Sequence, residues 1–112
     1  MATITKAELR NLALQKLGVV PAGQAASGED ASLVDGLVDA MFEEMDDVLL
    51  FASSAIPLWA RESLVDIVAA MASPYFGNAP ISRTKEMAIG DYQTAKRAHI
   101  DYDQRDTAPD YY

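Results

Sequence analysis

The sequence predicts an all-α protein, a small bundle of about four helices followed by a flexible polar C-terminal tail. Apolar residues recur at the three- and four-residue spacing of helices in four separate segments. No segment alternates apolar and polar residues with the period of a strand, so we expect no sheet. At 112 residues the chain fits one domain. We divide it into a helical domain, residues 1–103, and a tail, residues 104–112.

The first helix is expected to begin at Thr5 and to end at Gly18. Thr5 and Glu8 have the spacing of a capping box, in which the Thr5 hydroxyl accepts a hydrogen bond from the Glu8 amide. Glycine adopts the left-handed conformation that ends helices at little cost, which favours Gly18 as the end. The apolar positions at helical spacing are Leu9, Leu12, Ala13 and Leu17.

The second helix is expected to be the longest, with Ser27 as its N-cap and an end near Phe51. The acidic residues of its first turn complement the helix dipole. Gly36 costs about 1 kcal/mol relative to alanine inside a helix, and a helix packed closely against it would explain its presence. The apolar stripe consists of Val34, Leu37, Val38, Met41, Phe42, Met45, Val48 and Leu49.

Two further helices are expected in the second half of the chain. Proline suits the first turn of a helix because its missing amide is not needed there, so the third helix is expected to start at Pro57. Its apolar face ends near Tyr75, and Pro80 prevents continuation. The fourth helix is expected to run from Ser82 to about Tyr102.

The net charge of the chain is −8, from 17 acidic and 9 basic residues. No basic residue lies between Lys16 and Arg61, although that interval is rich in aspartate and glutamate. An acidic chain disfavours direct binding to nucleic-acid phosphates, which needs clustered lysine and arginine. A solvated helix face is the ordinary explanation of such a charge run. The alternative is a surface that repels DNA or attracts a basic partner.

The sequence contains no pattern typical of a catalytic or metal site. It has no cysteine, and His99 is its only histidine, with no second ligand nearby, so we expect His99 to serve packing or to lie on the surface. No glycine-rich phosphate loop or nucleophile motif occurs. We therefore expect neither an enzyme nor a cofactor. The absence of an apolar start and of a run of about 20 apolar residues predicts a soluble protein made in the cytoplasm.

Aromatic residues are the best candidates for binding. Trp59 follows Pro57 at a helix start, where it either caps the core or anchors a partner. Tyr75 and Phe76 lie at the end of the same helix, where core packing competes with a role in binding. The polar segment 104–112 has nothing to bury locally, so it is either a disordered terminus or a segment that becomes ordered on a partner.

The order of several short motifs carries a family resemblance. The motifs are TKAEL at 5–9, ALQKLG at 13–18, AGQ at 22–24, SGEDA at 27–31, AIP at 55–57 and PYFG at 74–77. Together with the long acidic second helix, they resemble the head–tail connector (adaptor) proteins of tailed phages over residues 4–103. These are small helical proteins that form a ring beneath the portal.

The resemblance implies a structural virion protein of the head–tail junction that is present in the host cytoplasm during assembly. It implies a helical bundle that forms a homo-oligomeric, dodecameric ring on the portal protein. Such a ring extends the DNA channel, helps to retain packaged DNA and offers a surface to the next tail or stopper component. DNA passes through it without specific binding, and no membrane is involved.

Three sets of residues are expected to serve these contacts. Family members often reach into the portal with their C-terminal segment, which here is Thr107, Ala108, Pro109, Asp110, Tyr111 and Tyr112. Apolar helix faces left over from a small core can be buried between subunits; the candidates are Trp59, Tyr75 and Phe76. An acidic lining lets DNA phosphates pass without forming ion pairs; the candidates are Asp35, Asp39, Glu43 and Asp46.

A small acidic helical binding protein is the alternative function. It would be either a DNA mimic that inhibits a DNA-binding enzyme or an adaptor for a basic partner. A mimic needs carboxylates at regular spacing over its whole surface, and the five basic residues of the C-terminal third count against it. Those residues are Arg83, Lys85, Lys96, Arg97 and Arg105. A stable monomer without affinity for phage particles would favour the adaptor.

Overall fold

The computed structural model describes residues 2–21, 24 and 26–107, with side chains described as far as Ile100. In this part of the chain, four α-helices and one short sheet surround a common hydrophobic core. The elements are β1 (Thr3–Ile4), α1 (Lys6–Lys16), α2 (Gly28–Glu44), β2 (Ile56–Pro57), α3 (Leu58–Ala72) and α4 (Lys85–Thr107). The predicted helical class is confirmed.

The ends of α1 follow the local signals in the sequence. The Thr5 hydroxyl accepts a hydrogen bond from the Glu8 amide at 3.3 Å and donates one to the Glu8 carboxylate, also at 3.3 Å. Gly18 follows the helix with φ of 74°, the left-handed region that glycine adopts without a steric penalty. The predicted cap at Ser27 is confirmed as well, since its hydroxyl accepts from the Asp30 amide at 3.2 Å.

The predicted end of the second helix near Phe51 is wrong, because α2 ends at Glu44. Residues 45–48 form turns in which the amides of Val48 and Leu49 both donate to the Met45 carbonyl. Met45 and Leu49 are nevertheless buried in the core. The apolar pattern therefore indicated burial correctly, while the backbone that carries it is a turn and not a helix.

Gly36 has an open environment, so a closely packed helix does not explain its presence. A Cβ atom added at this position would meet nothing within 4 Å, and the residue lies on the exposed side of α2. No contact of the described chain therefore requires glycine here.

The expectation that the chain has no sheet is wrong by one pair of two-residue strands. Strand β1 pairs antiparallel with β2, with Thr3 opposite Pro57 and Ile4 opposite Ile56. Both isoleucine side chains are buried, so the pairing holds the segment before α1 against the start of α3. Strands of two residues are too short to show the alternation on which a sequence-based prediction depends.

Helix α3 is the central element of the bundle. Its buried positions occupy most of its circumference, and it packs against α1, α2 and α4. A helix that is apolar on nearly all sides is one that is surrounded by others. The 3-10 turn Ser73–Phe76 follows it, and Gly77 then takes a left-handed conformation with φ of 68°.

Both ends of helix α4 differ from the predicted ends. It begins at Lys85 and not at Ser82, because the Thr84 hydroxyl caps the first turn by accepting from the Met87 amide at 3.2 Å. It continues to Thr107, beyond the predicted end at Tyr102. The sequence between Tyr102 and Thr107 contains no glycine or proline that would end a helix.

Helix α4 runs antiparallel to α3. Ser82 and Arg83, just before α4, lie beside Asp66 in the middle of α3, whereas His99 stacks on Trp59 in the first turn of α3. The helical residues 100–107 therefore extend past the start of α3, by about 12 Å at 1.5 Å per residue. No helix in the described part of the chain is long and apolar enough to cross a membrane.

Candidate partner-binding groove

An open groove lies between the connection that precedes α3 and the second half of α4. Its volume is about 280 Å³, just below the range of roughly 300–1,000 Å³ typical of small-molecule sites. We call this feature the Trp59 groove, and its lining consists of Leu50, Phe51, Pro57, Trp59, Tyr92, Lys96, His99 and Ile100.

One wall of the groove is fixed to α4 by a shared hydrogen-bond acceptor. The Val48 carbonyl oxygen accepts from Tyr92 Oη and from Lys96 Nζ, each at 3.0 Å. Leu49 next to it is buried in the core, and Leu50 is then 76% exposed. Hydrogen bonds at Val48 and burial of Leu49 therefore hold the backbone in place directly before the exposed Leu50.

The floor of the groove is a series of aromatic rings. Trp59 stacks on His99 with centroids 4.8 Å apart and on Tyr92 with centroids 5.7 Å apart. Phe51 meets the Trp59 ring edge-on at 6.0 Å and Phe42 at 6.1 Å. Contacts of this kind stabilise by roughly 0.5–1.5 kcal/mol each beyond the burial of area. The floor is therefore ordered before any partner binds.

The rim of the groove exposes large apolar side chains. Besides Leu50, Ile100 in the lining of the groove is 42% exposed. Single exposed apolar residues are ordinary on a soluble surface, whereas a cluster around a concave feature is typical of an interaction site. This cluster makes the groove the best candidate for a binding site in the described chain.

Basic residues border the groove on an otherwise acidic protein. Lys96 lines it, and Arg97 lines an adjoining hollow that shares Lys96 and Ile100 with the groove. Among the described residues, neither Lys96 nor Arg97 forms an ion pair with a carboxylate. The groove therefore combines an apolar interior with a positive edge, which complements an acidic segment that carries apolar side chains.

The acidic residues of α2 are partly neutralised from neighbouring helices. Arg10 Nη1 of α1 lies 3.1 Å from Asp35 Oδ2, and Lys6 Nζ lies 2.7 Å from Asp39 Oδ1. Just before the end of α2, Glu44 pairs with Lys85 of α4 at 2.9 Å. The segment of sequence that contains α2 has no basic residue, but in the folded chain α1 and α4 place lysine and arginine side chains beside its carboxylates.

The remaining predicted channel residues, Glu43 and Asp46, are exposed. Among the described residues, neither forms an ion pair. Of the four acidic residues predicted to face the channel, the two without an ion pair among the described residues therefore lie at the C-terminal end of the set.

A second charged cluster joins α1 to α3. Lys16 Nζ lies 2.5 Å from Asp66 Oδ1 and 2.6 Å from Glu62 Oε1. Burial lowers the pKa of Lys16, but hydrogen bonds to the two carboxylates outweigh burial, so that the pKa lies above its ordinary value. Asp66 is buried, and this pairing satisfies a charge that would otherwise be costly to bury.

The predicted subunit-interface residues lie in two different places. Trp59 is half-buried and forms the groove floor, whereas Tyr75 is 62% exposed at the other end of α3. Phe76 is half-buried against the core. Of the predicted portal-contact segment, Thr107 is the last described residue, and residues 108–112 lie outside the described part of the chain.

Other hollows in the described chain are larger than the Trp59 groove, at about 380–450 Å³, but their linings are more polar. Among the described residues, no group of three or more His, Asp or Glu side chains is placed to hold a metal ion. The cavity beside Lys16 and Asp66 measures about 10 Å³, near the lower limit for one water molecule. The Trp59 groove is therefore the site on which a functional proposal can be based.

The comparisons with known proteins give no relative of this chain. No family model, no curated protein and no solved structure matches it. The groove itself was only partly predicted, since Trp59 was singled out in the sequence and Leu50 and Ile100 were not. No signal in the sequence pointed to Leu50, because that residue falls within the stretch predicted as the end of the second helix.

Proposed function

We propose that this chain is a structural subunit of a head–tail connector ring in a tailed phage, as its resemblance to that family implies. The observation that carries the ring is the presence of apolar surfaces at both ends of α3. The Trp59 groove lies at the first turn of α3. Tyr75, which is 62% exposed, follows its last turn.

Two different apolar surfaces favour a ring over a symmetric dimer. A two-fold dimer uses the same patch on both partners, whereas a ring joins one patch to a different patch on the next copy. The 15 residues of α3 separate its two ends by about 22 Å, so the two surfaces are distinct. Each copy can then use the Trp59 groove for one contact and the surface at Tyr75 for a separate contact.

The extension of α4 supports a role in joining components. Its last two turns run past the start of α3 and project beyond the bundle. A ring of such subunits presents a set of projecting helices to whatever lies beside it. In the proposed assembly, that component is the portal protein or the next tail component.

The acidic face of α2 supports passage of DNA only over part of its length. Asp35 and Asp39 are paired with α1, whereas Glu43 and Asp46 are exposed without an ion pair among the described residues. We therefore place the channel-facing part of the proposed ring at the C-terminal end of α2. Repulsion there lets the DNA backbone slide without ion pairs that must break at each step.

The DNA-mimic alternative receives less support from the charges. Ion pairs with Lys6, Arg10 and Lys85 interrupt the acidic surface that a mimic would need. An adaptor for a basic partner remains the competing outcome of the experiment below.

A pull-down during particle assembly tests the proposal. A tagged full-length chain is produced in the native host while particles form, and co-purifying proteins are identified by mass spectrometry. Recovery of the portal protein, together with rings in negatively stained images, supports the connector role. Recovery of a soluble host protein without any particle protein contradicts it and favours the adaptor.

Charged substitutions at the two apolar surfaces sharpen this test. Leu50→Asp and Tyr75→Asp alter exposed side chains, so the fold should be retained while ring formation is lost. Ser32→Asp on the exposed side of α2 is the matched control and should leave rings unchanged. Rings that form equally well with all three variants would show that these surfaces are not subunit contacts.

A further inference from the structure

We infer that the Trp59 groove binds residues 108–112 of a second copy of this chain. This inference deepens the proposed ring and rests on its being built from copies of this chain. It differs from the portal contact that the family resemblance predicts for the same segment. The argument combines the chemistry of the groove, the sequence of the segment and the distance that the segment can span.

The chemistry of the groove matches the sequence of the segment. The groove has an apolar and aromatic interior with a positive edge at Lys96 and Arg97. The segment reads Ala-Pro-Asp-Tyr-Tyr, which places one carboxylate, Asp110, directly before two aromatic side chains, Tyr111 and Tyr112. A tyrosine can bury its ring on an aromatic floor and keep its hydroxyl at the wet rim, while the carboxylate meets the basic edge.

The reach of the segment favours the groove of a neighbour over the groove of its own copy. Thr107 lies eight residues beyond His99 in α4, about 12 Å along the helix axis. To return, the chain must first reverse direction, which takes a turn of about four residues. The one or two residues that remain up to Tyr112 span at most about 7 Å. The backbone of the segment therefore falls short of Trp59 and Leu50 of its own copy, whereas the groove of a neighbour can hold the whole segment.

Docking of this kind produces an open-ended contact that can close into a ring. The donor surface is the segment after α4 and the acceptor surface is the Trp59 groove, so each copy donates to one neighbour and accepts from another. The segment that becomes ordered costs free energy on binding. We therefore expect each single contact to be weak and the closed ring to be stabilised by the number of contacts.

Trp59 provides a direct readout, because it is the only tryptophan of the chain and lies in the groove floor. The acceptor is the full-length chain with Tyr111→Ala and Tyr112→Ala, so that its own segment does not compete. The probe is the peptide Thr-Ala-Pro-Asp-Tyr-Tyr, residues 107–112 with both ends blocked. The tryptophan is excited at a wavelength that tyrosine does not absorb. We expect a saturable change in its emission.

Two substitutions in the acceptor locate the binding site. Leu50→Asp places a charge on the apolar rim, and Arg97→Glu reverses the basic edge; each should weaken peptide binding about tenfold or more. Tyr75→Asp and Arg61→Glu are matched controls on other exposed surfaces and should leave the affinity unchanged. A peptide with Asp110→Lys should recover binding to the Arg97→Glu acceptor, which a merely unfolded variant could not do.

Sedimentation of the full-length chain tests whether docking joins copies. The wild-type chain should associate as its concentration rises, and the Tyr111→Ala/Tyr112→Ala chain should remain smaller at the same concentration. A wild-type chain that stays monomeric while its tryptophan already emits as in the peptide-bound acceptor would mean docking within one copy, which overturns the inference. Absence of saturable peptide binding, or binding insensitive to Leu50→Asp and Arg97→Glu, overturns it as well.

These outcomes are separate from those of the pull-down. Peptide binding in the groove without recovery of a portal protein removes the connector role and leaves the contact between copies standing. Recovery of the portal protein that is lost with Tyr111→Ala/Tyr112→Ala, while self-association is unchanged, assigns the segment to the portal and overturns the inference. Loss of self-association with that variant, while the portal is still recovered, supports both proposals.

Discussion

Trp59, in the first turn of α3, lies stacked on His99 of α4, with the ring planes inclined by 13°. Tyr92, two turns earlier in α4, stacks on the same indole at an interplanar angle of 24°. One side chain thus fixes two turns of α4 against the start of α3. The contact determines where α4 leaves the bundle and also forms the floor of the Trp59 groove, so stability and the proposed binding are coupled at this position.

Substitution of Trp59 and substitution of His99 should lower the free energy of unfolding by different amounts. Trp59→Ala should lower the free energy of unfolding by about 3 kcal/mol, because a large half-buried ring is lost. His99→Ala should lower it by about 1 kcal/mol, the contribution of one aromatic pair. Urea unfolding followed by circular dichroism measures both. Gln93→Ala, at an exposed position of α4, is the control. A His99→Ala variant as stable as the control would show that the stack does not stabilise the fold.

The pairing of α1 with α2 predicts a graded effect of charge removal. Arg10 and Asp35 are less exposed than Lys6 and Asp39, with side-chain exposures of 21% and 32% against 32% and 62%. A double-mutant cycle with Arg10→Met and Asp35→Asn should give a coupling of about 1 kcal/mol, and the Lys6–Asp39 cycle less than about 0.5 kcal/mol. Both couplings should shrink in high salt, because mobile ions screen exposed charges. Equal couplings for the two pairs would contradict this ranking.

Local signals in the sequence were sufficient to predict helix ends that depend on a single turn of chain. Thr5, Gly18 and Ser27 each act on groups within four residues of themselves, so no tertiary knowledge is needed. Thr84 carries the same kind of signal and was overlooked in favour of Ser82. These boundaries are the part of the fold that a careful inspection of the sequence can recover.

Features that depend on distant contacts could not be predicted in this way. Val48 and Leu49 continue the apolar spacing of α2, but that spacing indicates burial in a turn as readily as in a helix. The partners of Asp35 and Asp39 lie on α1, far away in the sequence, so the acidic interval appeared more negative than the folded surface is. The groove likewise depends on the packing of α4 against the connection before α3.

Alkaline pH is expected to destabilise the fold through two groups. Burial raises the pKa of Tyr92 above its ordinary value of 10.0, and the carboxylates beside Lys16 raise its pKa above 10.5 against the opposing effect of burial. The folded state therefore holds both protons more tightly than the unfolded chain. Their contribution to stability is complete below about pH 10 and is lost as the pH rises through the folded-state pKa values.

Unfolding in urea at a series of pH values from neutral to strongly alkaline measures this effect. Tyr92→Phe removes one of the two groups and should reduce the alkaline loss of stability. At neutral pH it should cost about 1 kcal/mol, because the hydrogen bond to the Val48 carbonyl is lost. Lys96 still satisfies that carbonyl, which keeps the cost small. A Tyr92→Phe chain with an undiminished alkaline loss would exclude Tyr92 as a source of the effect.

The open environment of Gly36 predicts a stabilising substitution. A Cβ atom at this position meets nothing within 4 Å, and the backbone is helical. Gly36→Ala should therefore raise the free energy of unfolding by about 1 kcal/mol, since alanine loses less backbone entropy on folding. For a domain of this size, that change raises the melting temperature by about 4 °C.

Gly18→Ala is the matched control, because a Cβ atom there also meets nothing within 4 Å but φ is +74°. It should lower stability by about 1 kcal/mol, the cost of a left-handed conformation for an L-residue. Thermal unfolding of both variants beside the wild-type chain separates backbone conformation from packing. If Gly36→Ala instead lowers the melting temperature, a close neighbour must approach α2, and in the proposed ring that neighbour would be another copy of the chain.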